Sequence, residues 1–292
     1  MSASPLFSGR IAPSRKLADK VFRVACFLAT LVATIFLALL LWSVIKDGAG
    51  RITGDFFSEF TSRFPEKAGI KAALAGTIWV IGLTALIAVP VGVAAAVYLE
   101  EFVPKTNRLA GFIQLNISNL AGVPSIIYGL LGLAVFVRFF ALDRSVLAGA
   151  LTMSLLILPM IIVVSQEAIR AVPNSYREGA LAIGATRWQT VRTQVIPAAL
   201  SGITTGIILS LSRAMGESAP LITIGAVTFI KMTPQKLGDK FTVLPIQIFD
   251  WSSRPQVGYH EVAAAASIVL LAVLIVLNGI AITIRLRAQK RT

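Results

Sequence analysis

Residues 262–284 read VAAAASIVLLAVLIVLNGIAITI, a run without a single acidic or basic side chain. A helix rises about 1.5 Å per residue and a bilayer's hydrocarbon core is about 30 Å thick, so ~20 apolar residues make one crossing. Four consecutive alanines followed by a Leu/Ile/Val run lack the alternation of a membrane barrel strand, and helix is the expected form. Five further uncharged stretches are long enough to do the same: Val24 to Ile45, Ala72 to Leu99, Leu109 to Val137, Ser145 to Gln166, and Thr193 to Ser212. Of the 292 residues 56% are hydrophobic and 14% charged, and the mean hydropathy is +0.80, too much apolar surface for a soluble domain to hide. The expectation is an all-α integral membrane protein with six transmembrane helices. Its parts are an amino-terminal segment 1–23, a membrane domain 24–284 and a basic tail 285–292.

Basic residues Arg15, Lys16 and Lys20 precede the first stretch, the flank of a secretory signal as much as of an anchor. The uncharged core of 22 residues exceeds the roughly 7–15 of a signal's apolar region, which favours an uncleaved anchor. Cys26, the one cysteine, lies inside this stretch, so no internal disulfide can form. With a cytoplasmic amino terminus, fifteen Lys and Arg fall on the cytoplasmic side and eleven outside, over a similar length of chain. The positive-inside rule then puts both termini and segment 167–192 in the cytoplasm. The net charge of +13 is in part this topology signal and an affinity for anionic headgroups of the bilayer, not a sign of nucleic-acid binding.

Segment 167–192 is polar but too regular for a plain linker. Pro173-Asn174-Ser175 breaks one helix and caps the next, and small or apolar residues recur at helical spacing from Tyr176 to Val191. Ala180, Ile183, Gly184 and Trp188 would share one side of a short helix at the cytoplasmic face. An interfacial amphipathic helix anchored by Trp188 and Arg187 fits the same periodicity.

Arg213 and Glu217 interrupt an otherwise uncharged run from Thr193 to Ile230. An arginine at membrane depth costs about 2.5–3.5 kcal/mol on insertion scales, and such residues usually face a bundle interior or an aqueous pathway. Four residues apart, the two would lie on one helical face. A structural ion pair, or side chains reaching the outer interface from a helix that ends near Pro220, are the competing readings. Asn116, Ser118, Asn119 and Ser125 suit a pathway or interhelical hydrogen bonds equally. Pro90, Pro124 and Pro159 should bend or interrupt their helices. No cluster of metal-ligating residues and no nucleophile–base spacing stands out, and His260 beside Glu261 reads as a surface residue, so neither a catalytic nor a metal site is expected. The sequence has no Gly-Lys dipeptide, hence no phosphate-cradling loop of the Gly-x-x-x-x-Gly-Lys-Ser/Thr type.

Glu178-Gly179-Ala180, Gly184 six residues after the glutamate, and Ile196-Pro197 resemble the cytoplasmic Glu-Ala-Ala loop of permease subunits of ATP-binding-cassette (ABC) importers. Gly179 stands where that loop has its first alanine, Gln194 where isoleucine is usual, and Ile196 where leucine is. Residues 121–129 (AGVPSIIYG), 212–220 (SRAMGESAP) and 244–249 (LPIQIF) resemble the phosphate-importer branch, the PstA type, in the right order along the chain. The resemblance implies a type I importer permease with a coupling helix carrying Glu178, Gly179, Ala180 and Gly184. It implies as partners a second homologous permease, cytoplasmic ATP-binding subunits and an extracytoplasmic phosphate-binding protein. ATP would be used by the partner subunit, with no cofactor bound by this chain.

Under that resemblance Arg213 and Glu217 are candidates for the substrate pathway. Arginine's planar fork matches two phosphate oxygens, and a carboxylate accepts a hydrogen bond from the P–OH of partly protonated phosphate while repelling sulfate. A secondary transporter is disfavoured because no clear internal repeat is visible. A scaffold without transport leaves the intramembrane pair unexplained.

Overall fold

The computed structural model describes residues 13–104 and 106–289, and their regular structure is helical. The first helix, α1 (Pro13–Gly48), is followed by the short α2 (Gly54–Ser58) and by α3 (Lys71–Val97), which a wider π-type turn extends to Phe102. Next come α4 (Arg108–Ala121) and α5 (Ser125–Gly132), the latter prolonged to Phe139 by another π-type turn. At α4 and α6 a side chain marks the helix start by accepting orphan backbone N–H groups: Asn107 takes those of Leu109 and Ala110 at α4, and Ser145 takes that of Ala148 at α6 (Val146–Arg170). Beyond α6 lie α7 (Asn174–Ala182), α8 (Arg187–Thr190) and α9 (Ile196–Gly216). The series ends with α10 (Ala219–Thr223), α11 (Leu244–Ser252) and α12 (Val257–Gln289).

Helices α3, α6 and α9 form the centre, and small residues let their backbones approach. A Cβ on Gly92 would meet the Ile161 side chain, one on Gly206 would meet Val164, and one on Gly202 would meet Ala168. Thr84 Oγ1 donates across to the carbonyl of Ala150 at 3.3 Å. Val80, Ala88, Met153, Ile157, Ile161 and Ala214 are buried here in one apolar cluster. Pro90 and Pro159 lie inside α3 and α6 without interrupting either helix.

Five of the six expected stretches are unbroken apolar helices. The third, Leu109 to Val137, is not: it breaks at Gly122-Val123-Pro124, and its halves meet at 104°. Pro124 disfavours the α region at Val123 and supplies no N–H, so the helix stops. The bent pair still makes one crossing, because α3 and α6 run parallel. Their far ends are joined by the ion pair Glu100–Arg170, while their starts both pack on one loop, with Gly76 on Thr242 and Gly149 on Phe241. The chain between them therefore has to return from one end to the other.

The same reasoning orients the outer helices. Gly48 at the end of α1 lies against Ala264 and Ala265 near the start of α12, on the side of the α3 start. Both helices therefore extend away from it, towards the side that carries α7. Along its apolar window α1 has no residue buried.

Candidate functional site

α9 ends at Gly216, and Glu217 continues in extended backbone before α10 begins. Arg213 and Glu217 therefore flank a helix end instead of sharing the face of one continuous helix, as their spacing suggested. They remain close: Arg213 Nε lies 3.7 Å from Glu217 Oε1. Arg213 occupies the last turn of α9, where the carbonyl end of the helix dipole favours a cation. Its side chain is 55% exposed and that of Glu217 22%, so the guanidinium is open on one side.

A second break adjoins the first. Arg213 lines a small cavity with Leu120, Ala121, Val123 and Tyr128, the residues around the α4–α5 interruption. On the other side of each break, α5 and α10 touch through backbone, since a Cβ on Gly129 would lie 2.7 Å from Pro220 Cα. Tyr128 is buried, and its hydroxyl donates to the carbonyl of Leu120 at 2.7 Å. Non-helical backbone at membrane depth is tolerated where it is buried in protein or lines a water-filled cavity. Among the other polar candidates, Asn116 donates to the Phe112 carbonyl of its own helix at 2.7 Å. A pair unnoticed in the sequence, Gln114 and Gln166, exchanges two amide hydrogen bonds of 3.0 and 2.8 Å and fixes α4 to α6.

The segment expected as one helix over Tyr176 to Val191 is two. α7 closes with Gly184 at φ +86°, the Ala185 N–H on the Ala180 carbonyl at 3.1 Å and the Gly184 N–H on the Leu181 carbonyl at 3.0 Å. That is a glycine-terminated helix end, so Gly184 is a chain-reversal residue and not a small packing residue one turn beyond Ala180. α8 then starts from a reciprocal cap, with Thr186 Oγ1 accepting from Gln189 N and Gln189 Oε1 accepting from Thr186 N. Of the four residues expected on one side, Ala180 is buried, whereas Ile183 is 87% exposed and Trp188 55%. Glu178 and Gly179 are exposed on α7, and nothing lies near a Cβ built on Gly179.

Two acids at the end of α3, silent in the sequence reading, hold this region. Glu100 pairs with Arg170 at the end of α6, and Glu101 pairs with Arg177 of α7 at 2.6 Å. Phe102 packs on Trp188 with ring centroids 6.2 Å apart. Among the described residues no group of His, Cys, Asp and Glu is placed to hold a metal.

A central three-helix core, an interrupted crossing and a two-helix loop on one face together define the fold of a type I ABC importer permease. The solved structure of a bacterial ABC transporter involved in import of the acidic polysaccharide alginate superposes with a TM-score of 0.61 at 18% identity, covering 93% of this chain and 99% of that one. The MetNI methionine ABC transporter in an inward-facing conformation gives 0.59 at 20% identity over 75% and 94%. The chain belongs to the family of binding-protein-dependent transport system inner membrane components, whose family model matches residues 88–288. It is 33% identical to phosphate transport system permease protein PstA 1 of Mycobacterium tuberculosis (strain CDC 1551 / Oshkosh), over 95% of this chain and 91% of the relative. It is 30% identical to PstA of Haemophilus influenzae, over 89% and 91%. A further relative, the probable ABC transporter permease protein YqgI of Bacillus subtilis, is 31% identical over 81% and 80%.

Proposed function

We propose that this permease subunit forms half of the pathway of an ATP-driven importer of inorganic phosphate. The observation that carries the reading is Arg213, half-exposed beside two helix interruptions and only loosely paired with Glu217. The guanidinium fork suits two phosphate oxygens, and Glu217 accepts a hydrogen bond from the P–OH of monohydrogen or dihydrogen phosphate. Sulfate carries no proton at neutral pH, so the same carboxylate repels it. One arginine opposed by a carboxylate makes a weak site, as a pore that must release its substrate requires. The relatives named as phosphate transport permeases support this substrate, whereas the methionine and alginate transporters that share the fold are why the fold alone does not choose it.

In this reading α7 and α8 face the cytoplasm and receive an ATP-binding subunit on the surface that includes Glu178, Gly179, Ile183 and Gly184, with Ala180 seating α7 from beneath. A second homologous permease completes the pore. Substrate arrives from an extracytoplasmic phosphate-binding protein; a bacterial alginate ABC transporter has been solved in complex with an alginate pentasaccharide-bound periplasmic protein. The chain itself binds no cofactor and hydrolyses nothing. ATP hydrolysis by the reconstituted complex, stimulated by loaded binding protein, should depend on phosphate and not on sulfate, with arsenate as the close analogue. Equal stimulation by sulfate would replace phosphate with a broader class of oxyanions.

A further inference from the structure

We infer that Arg177 and Glu101 form the strut through which movement of α7 reaches the membrane helices, an inference that rests on the docking role proposed above for α7. All three guanidinium nitrogens are engaged. Nε donates to Glu101 Oε1 at 3.1 Å and Oε2 at 3.3 Å, Nη2 donates to Oε1 at 2.6 Å and to the Ile169 carbonyl at 3.1 Å, and Nη1 donates to the Val172 carbonyl at 2.8 Å. One side chain of α7 thus grips the carboxylate at the end of α3 and the carbonyls at the end of α6 together. The Ile169 carbonyl belongs to the negative end of the α6 dipole, which suits a cation, and the Val172 carbonyl lies just past that end.

The buried apolar cluster under the loop does not extend onto α7: it comprises Ala96, Val97, Ile162, Ile169, Val172, Val191, Val195, Ala199 and Ile203, and it takes no residue from Asn174–Ala182. Ala180 is the one buried residue of α7. The neighbouring pair Glu100–Arg170 does not reach α7, and with Arg170 56% exposed it is the kind of surface pair that contributes little. Arg177 and Glu101 are 20% and 9% exposed, enclosed enough to be directional and stiff. From the strut the path continues by packing: α3 on α6, and α6 on α9, whose last turn carries Arg213.

Coupling along such a path has to be measured. The double variant Glu101→Gln/Arg177→Gln removes both charges at once and so leaves no lone buried ion, the costly outcome of either single change. In the complete complex with its ATPase and binding protein, it should retain the ATPase subunit through purification and continue to hydrolyse ATP. Phosphate taken up per ATP should fall about tenfold, inside the roughly 5–150-fold range of ordinary coupling free energies. Arg177→Lys, which keeps the charge and loses the three-nitrogen grip, should give an intermediate ratio. A wild-type ratio in the double variant overturns the strut. So does loss of the ATPase subunit from that variant, since the pair would then only shape the docking surface. Ile183→Glu separates the underlying reading: if it leaves the ATPase fully bound, α7 is not the docking site, whatever the strut does.

Discussion

The hydroxyl of Tyr128 donates to the carbonyl oxygen of Leu120, so the second half of the broken crossing holds the last turn of the first half across Gly122-Val123-Pro124. That carbonyl also accepts the Val123 N–H at 3.1 Å, and the two bonds fix the bend where the chain turns beside Arg213. Tyr128→Phe removes one bond of about 1 kcal/mol and leaves the ring's packing intact. The variant should enter the membrane in normal amount, melt slightly earlier in detergent, and transport more slowly. Unchanged uptake would mean that the bend is set by Pro124 alone.

Gly179 and Gly184 are five residues apart, and replacing each with alanine should have opposite signs. Gly179 sits inside α7 with open space at its Cβ, so alanine gains up to about 1 kcal/mol of helix propensity. Gly184 also has open space but sits at φ +86°, where an L side chain costs about 1–2 kcal/mol. Hydrogen exchange over α7 should slow in Gly179→Ala and quicken in Gly184→Ala, and only the second should lower phosphate uptake per ATP. Equal behaviour of the two would remove the helix-end role of Gly184.

How much of this was legible varies with the range of the interaction. The five unbroken spans are local facts of hydropathy, readable from runs such as 262–284. The break in the third span left no mark in hydropathy because Gly122-Val123-Pro124 is as uncharged as its surroundings; the Val-Pro step was the available signal. Gly184 was found by spacing, but its use differs, since a helix end is decided by backbone hydrogen bonds that spacing does not display. Glu101 and Arg177 are 76 residues apart in sequence, and nothing local pairs them.

Close backbone approaches are equally hidden, and one of them gives a clean contrast. A Cβ on Gly76 would lie 2.0 Å from the Thr242 carbonyl oxygen, whereas one on Gly82, two turns along the same helix, meets nothing within 4 Å. Gly76→Ala has to displace α3 from the loop before α11, an overpacking cost of about 1–3 kcal/mol or more. Gly82→Ala should be neutral or mildly stabilising. Thermal unfolding of the two purified proteins checks this, and a normal midpoint for Gly76→Ala would contradict the packing described.

The expected sidedness combines the parallel run of α3 and α6 with the charge bias of the sequence. Ser175 at the start of α7 and Ser253 after α11 are both exposed and belong to opposite faces. In a Cys26→Ala background, a cysteine at position 253 should react with an impermeant reagent added outside, and one at position 175 only after the membrane is opened. Labelling of position 175 in intact cells would invert the assignment.

Arg213 and Glu217 give the sharpest test of transport, because a structural pair and a substrate site predict different double variants. If the pair is structural, each single replacement leaves a charge without its partner and lowers the amount of folded complex, and the apolar double replacement restores it. The geometry weakens that reading: at 3.7 Å, with the arginine half-exposed, little stability is at stake. Arg213→Lys should therefore fold normally yet lose most uptake, since an ammonium keeps the charge without the planar fork. Glu217→Gln should accumulate normally and discriminate less against sulfate, because the carboxylate's repulsion is gone while its shape remains. Arg213→Leu/Glu217→Leu should assemble with its partners and fail to carry phosphate. Full phosphate uptake by that double variant would show that the cavity between the two helix breaks is not where the anion passes.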